Sequence, residues 1–231
     1  MHVIVATYVQ EHIVEDDEPI GQEALRTAHG RAAQYYLRQA AVNCPPKERA
    51  KEYLEQALSI VEKEESTRGK GTTLNNLGKV CAELGETEQA REYLEQSLVI
   101  RREKGYRAGE GKTLRNLGSV YKALDQIKQA QKCYQDSLNI FRGLGDREEE
   151  GATLYEIGML YFEQEFYDNA LAYFLLARNR FEEVQTPHQD VIEKQLGILR
   201  IKMGKKRFDA SLASIKPDAL RIVEQVLHKE K

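Results

Sequence analysis

A motif recurs without a gap every 40 residues through the middle of this chain. Gly71, Gly111 and Gly151 fall in phase. So do Thr73, Thr113 and Thr153, Leu74, Leu114 and Leu154, and Gly78, Gly118 and Gly158, followed by Ala90, Ala130 and Ala170. Self-similarity at this period marks an array of supersecondary units, each too small to bury its apolar face alone. The chain is thereby confined to a stacked repeat, and the periodicity inside each unit says what is stacked.

In the middle copy Leu114, Leu117, Val120, Tyr121 and Leu124 recur at helical spacing. Asp125 follows and is expected to cap the next helix. Ile127, Ala130, Tyr134, Leu138 and Phe141 form a second stripe. Gly143 and Gly145 are expected to stop it, and Asp146 to cap the helix beyond. Each unit is therefore two amphipathic helices joined by short turns. A glycine inside a helix costs about 1 kcal/mol relative to alanine. Gly78, Gly118 and Gly158 bear that cost, each with an alanine twelve residues later on the partner helix. The expectation is close approach of the two backbones there, flanked by Tyr121 and Tyr134 in one unit and by Tyr161 and Phe174 in the next.

Leu117-Gly118-x-x-Tyr121, followed by Ala130, Tyr134 and Ser137, resembles the tetratricopeptide signature. Cys81 and Leu94 replace aromatic residues in the preceding unit, and Ile157 replaces leucine in the following one; all are apolar exchanges. The period exceeds the usual ~34 residues, so longer helices are expected. With Leu-Gly-Asp-Arg at residues 144–147, the pattern is similar to the extended repeats of kinesin light chains, animal spindle-orientation adaptors and STAND-type signalling ATPases. The resemblance implies an all-α, right-handed superhelical solenoid of antiparallel helix pairs. Its helix-packing signature falls on Gly78, Ala90, Gly118, Tyr121, Ala130, Gly158, Tyr161 and Ala170.

Residues 31–190 divide into four such units. The first is degenerate: Leu37, Ala50, Leu54 and Ala57 keep the phase, Arg38 replaces the glycine, and Pro45-Pro46 open the second helix. Residues 191–231 read as a degenerate fifth unit and a capping helix. Leu196-Gly197 lies one residue out of phase there, Gly204 marks a turn, and Pro217 precedes an apolar stripe of Leu220, Ile222, Val223, Val226 and Leu227. Residues 1–30 lie outside the repeat. His-Val-Ile-Val-Ala-Thr-Tyr-Val-Gln-Glu-His-Ile at residues 2–13 resembles the close of the winged-helix region in STAND-type ATPases, and residues 23–40 resemble the helix that follows it. On that resemblance the chain is the sensor arm of a larger regulator.

Composition narrows the chemistry. The net charge of -3 argues against a polyanion-binding chain, and so against a nucleic-acid partner. Six acids and no base occupy residues 11–23, and four bases and no acid occupy residues 202–207; each run reads as solvated surface. Cys44, Cys81 and Cys133 are spaced as free thiols of a reducing compartment. No stretch approaches a membrane span or a signal peptide, so a cytoplasmic protein is expected. Gly105 to Thr113 looks like a phosphate-binding loop but has one residue too many between its glycines. No histidine lies at metal-ligand spacing, and no nucleophile, base and acid fall together, so neither cofactor nor catalysis is expected.

In the resembled family the first helix of each pair lines a concave groove. Carried onto this chain, that implies Tyr35, Tyr36 and Gln39 in the first unit, and Asn75, Asn76 and Lys79 in the second. It implies Lys112, Arg115, Asn116, Ser119 and Lys122 in the third, and Tyr155, Met159 and Phe162 in the fourth. The centre of this set is basic and amide-rich, and its ends are aromatic. Such a face suits a protein or peptide partner with acidic residues at its centre and apolar residues toward its ends, bound by a monomer or weak dimer. A small-molecule or signalling-peptide sensor is the alternative reading.

Overall fold

The computed structural model describes residues 46–63, 67–186 and 189–215. The expectations for residues 1–30, for Tyr35, Tyr36 and Gln39, and for the helix after Pro217 lie outside these. The described residues form helices and no strand. In chain order they are α1 (Pro46–Lys63), α2 (Thr67–Glu83), α3 (Thr87–Glu103), α4 (Arg107–Ala123), α5 (Ile127–Leu144), α6 (Arg147–Glu163), α7 (Tyr167–Val184), α8 (Gln189–Met203) and α9 (Lys205–Ile215). Two compact units share them: α1–α4 belong to the first, and α5–α9 to the second, which begins at Asp125.

In the first unit α1 packs on α2, α2 on α3, and α3 on α4, and α2 also meets α4. Leu54, Leu77 and Val80 form a core cluster there, with Ala50, Leu58, Leu84 and Tyr93 against it. A Cβ built on Gly78 would lie 2.5 Å from Leu94 Cγ and 3.0 Å from the Ala90 carbonyl oxygen. The expected backbone approach between glycine and alanine is therefore present in this pair.

In the second unit α5 packs on α6, α6 on α7, α7 on α8, and α9 returns onto α8 and α7. With three helices against it, α7 is buried at every position from Ala170 to Ala177. A Cβ on Gly158 would meet not a backbone but the Phe174 ring, at 2.6 and 2.7 Å, and Tyr173 Cβ at 3.3 Å. The same glycine thus makes room for an aromatic ring in one pair and for a leucine and a carbonyl in another. Gly118 and Ala130 are both buried, on α4 and α5 respectively. Gly197 departs from the pattern: it is exposed, and a Cβ there would meet nothing within 4 Å.

The turns repeat as regularly as the helices. Gly85, Asp125 and Glu165 have φ of 81°, 58° and 64°, and Gly105, Gly145 and Gln185 have φ of 71°, 71° and 54°. Each set is spaced by the 40-residue period. The residue after each left-handed position closes a helix end, as in Glu86 N–H to the Cys81 carbonyl at 2.9 Å and Phe166 N–H to the Tyr161 carbonyl at 2.9 Å. Two expectations are corrected here. Asp125 does not cap α5; it is itself the left-handed residue, and Gln126 precedes the helix without a side-chain cap. Gly143 lies inside α5, and Gly145 alone ends it. Asp146 does cap α6, its carboxylate accepting from Glu149 N–H at 3.0 Å.

Candidate peptide-docking surface

The second and third repeats place their candidate residues on two touching helices. Asn75, Asn76 and Lys79 lie on α2, and Lys112, Arg115, Asn116, Ser119 and Lys122 on α4. Asn75 is buried, and its side-chain carbonyl accepts from the Thr113 hydroxyl and from the Asn116 amide, both at 3.1 Å. Its amide donates to Asn76 Oδ1 at 3.4 Å. Thr113 Oγ1 lies 3.3 Å from Ser97 Oγ on α3, and the Ser97 hydroxyl donates to the Gly71 carbonyl at 2.7 Å. One polar junction therefore ties three helices and sets α2 beside α4. Beside it Asn76, Lys79, Lys112, Arg115, Asn116, Ser119 and Lys122 are all half-buried. The Asn76 amide nitrogen is buried and meets no acceptor among the described residues.

Tyr155, Met159 and Phe162 lie on α6 in the second unit and are half-buried. Tyr155 tilts against Phe174 with ring centroids 5.7 Å apart, and Phe162 against Tyr167 at 5.8 Å. Burial, then the charge of Glu156, pushes the Tyr155 hydroxyl above its ordinary value, so it is neutral and able to donate. Tyr161 is buried and stacks on Tyr173 at 5.4 Å.

The stretch from Gly105 to Thr113, whose glycine spacing already departs from a phosphate-binding loop, is a left-handed turn residue at Gly105 followed by α4 from Arg107. Gly109 and Gly111 are buried on that helix, and the Arg101 guanidinium donates to the Gly109 carbonyl. Cys81 is buried, and burial followed by the Glu86 carboxylate pushes its thiol up to about 12, which makes it a poor nucleophile.

Sequence reasoning misses a recurring buried carboxylate. Glu150 reads from sequence only as part of an acidic helix start, yet it is 1% exposed and sits among three arginines. Arg142 of α5 meets it at 3.0 Å, Arg147 of α6 at 2.8 Å and Arg180 of α7 at 3.0 Å. One period earlier Glu110 takes Arg102 at 3.0 Å and Arg107 at 2.6 Å. The spacing Arg-x4-Arg-x2-Glu, at 102–110 and again at 142–150, is the signal that could have found it.

Comparison with known proteins agrees with this architecture. The family described as Tetratricopeptide repeat matches at residues 48–103, 71–143 and 109–183, more than half of the chain. No curated protein gives a significant match. The crystal structure of BtubC (BKLC) from P. vanneervenii is similar with a TM-score of 0.67 at 16% identity, over 97% of this chain and 92% of that one. A kinesin-light-chain-like protein of Podosopora anserina, with nearly identical TPR-like repeats, is similar with a TM-score of 0.61 at 18% identity, over 86% of this chain and 96% of that one. A second crystal structure of that protein gives a TM-score of 0.61 at 17% identity, over 90% of this chain and 100% of that one.

Proposed function

Because the chain belongs to the tetratricopeptide-repeat family, whose members generally serve as protein-binding scaffolds, we propose that the α2 and α4 faces of the first unit hold an acidic peptide segment. The observation that carries this reading is the junction of Asn75, Thr113 and Asn116, which fixes the two first helices side by side. Lys79, Lys112, Arg115 and Lys122 then supply cationic donors along one face, and guanidinium and ammonium groups favour carboxylates. The unmet amide nitrogen of Asn76 supports the reading, because a buried donor without an acceptor is costly and a peptide carbonyl can relieve it. Tyr155, Met159 and Phe162 are proposed to meet apolar residues of a partner in the same way, on the second unit. Nothing in this arrangement calls for a cofactor or a covalent step.

The test is a titration of the whole chain with an Asp/Glu-rich decapeptide, read by calorimetry at two salt concentrations. Binding should weaken with salt, and the double substitution Lys112→Glu, Arg115→Glu should weaken it about tenfold or more while helicity and melting stay unchanged. Unaltered affinity in a folded double variant removes the α4 face from the site.

A further inference from the structure

Asn76, Asn75 and Asn116 form a row of side-chain amides across α2 and α4. A side-chain amide has an oxygen that accepts and a nitrogen that donates. Such a row can therefore be hydrogen-bonded in either of two directions, and the two directions present opposite groups at its ends. Here Asn116 Nδ2 donates to Asn75 Oδ1 at 3.1 Å, and Asn75 Nδ2 donates to Asn76 Oδ1 at 3.4 Å. The Asn76 nitrogen is left as the donor at one end, buried and with no acceptor among the described residues. The Asn116 oxygen is the acceptor at the other end.

What sets this direction lies behind the row. Thr113 is completely buried, and its hydroxyl has one proton to give. Two oxygens compete for it, Asn75 Oδ1 at 3.1 Å and Ser97 Oγ at 3.3 Å. The Ser97 proton goes to the Gly71 carbonyl at 2.7 Å, so toward Thr113 the serine oxygen only accepts. Donation to the nearer oxygen turns the Asn75 carbonyl toward Thr113 and its nitrogen toward Asn76. The reverse order requires the Thr113 proton to turn to the farther Ser97. The next hydroxyl pair in phase has no such role. Ser137 Oγ also lies 3.3 Å from Thr153 Oγ1, but Thr153 donates to the Glu149 carbonyl of its own helix at 2.8 Å.

We infer that Thr113 is a positioning residue, whose proton fixes the polarity of the α2 and α4 face so that a bound peptide turns a main-chain carbonyl to Asn76 and a main-chain N–H to Asn116. This rests on the docking face proposed above and goes beyond it. Lysine and arginine attract carboxylates whichever way a peptide runs, whereas an ordered amide row distinguishes acceptor from donor.

The side-chain amide signals of the nitrogen-15-labelled chain, recorded free and with the Asp/Glu-rich decapeptide, test it. A hydrogen-bonded amide proton resonates downfield of a free one. In the free chain the Asn76 pair should lie upfield of the Asn75 and Asn116 pairs, and one of its protons should move downfield as the decapeptide saturates. Thr113→Val keeps the shape and removes the proton. It should bring an Asn76 proton downfield before any peptide is added, and weaken the decapeptide about tenfold. Thr113→Ser returns the hydroxyl and should restore both. Ser97→Ala removes a buried hydroxyl of the same junction but not the proton on Asn75, so the Asn76 signals should stay where they are. A merely structural role for these hydroxyls would move the Thr113→Val and Ser97→Ala signals alike. An Asn76 pair already downfield in the unaltered chain, or unmoved by Thr113→Val, overturns the inference while a decapeptide that still binds keeps the docking face. No binding by the unaltered chain removes the docking face, and the ligand orientation named here goes with it.

Discussion

Replacing Glu150 by glutamine should destabilise the second unit by about 3 kcal/mol. The carboxylate is 1% exposed and is held by arginines from three successive helices, α5, α6 and α7. Glutamine keeps the shape and loses the charge, so three guanidinium groups are left facing one another. Removing one member of a buried ionic cluster commonly costs about 3–5 kcal/mol. The lower end applies here because Arg142, Arg147 and Arg180 are 30%, 45% and 18% exposed and can turn partly toward water. Urea denaturation of the two chains, followed by circular dichroism, reads the difference.

The same carboxylate gives the effect a sign in pH. Burial pushes the Glu150 carboxyl up, but hydrogen bonds from Arg147 and Arg142 and the charge of Arg180 outweigh it, and the folded-state value lies below the ordinary one. A carboxyl depressed on folding contributes stability that is complete above its unfolded value, about 4.3, and is lost as pH falls through the folded value. The gap between the unaltered chain and Glu150→Gln should therefore be full at neutral pH and close in acid. A gap that persists unchanged in acid would mean that shape, not charge, does the holding.

Gly158→Ala and Gly197→Ala should move stability in opposite directions although both glycines lie inside helices. At Gly158 the new methyl would sit 2.6 Å from a Phe174 ring that is itself completely buried, so neither can yield. Overpacking of this kind costs about 1–3 kcal/mol, more than the ~1 kcal/mol that alanine returns in helix propensity. At Gly197 the methyl meets nothing within 4 Å, and the propensity gain of about 0.5–1 kcal/mol stands alone. The pair should differ by about 2 kcal/mol in urea midpoint analysis. Equal effects would detach the repeated glycine from packing.

These two cases also mark how far the sequence could be read. The 40-residue phase located the helix pairs and the turns between them, because backbone geometry repeats whenever the sequence does. It could not say what each glycine admits. That depends on whether the facing residue is Leu94 or Phe174, which the period alone does not fix. Asp125 is misread because one aspartate suits both a helix cap and a left-handed turn, and only the neighbouring hydrogen bonds decide. Glu150 escapes notice because burial of a charge depends on arginines of three helices meeting, and an acidic first turn has an adequate local explanation in the helix dipole. On the candidate face, residue types were legible, but the engagement of Asn75 with Thr113 and Asn116 was not.

The most direct test of the proposed role is a map of backbone amide shifts by nuclear magnetic resonance, recorded as the acidic decapeptide is titrated into the isotopically labelled chain. The amides of Asn75, Asn76, Lys79, Lys112, Arg115 and Asn116 should move together along one saturating curve while those of α3 stay still. Shifts that collect on α3, or that never saturate, would contradict a docking face on α2 and α4.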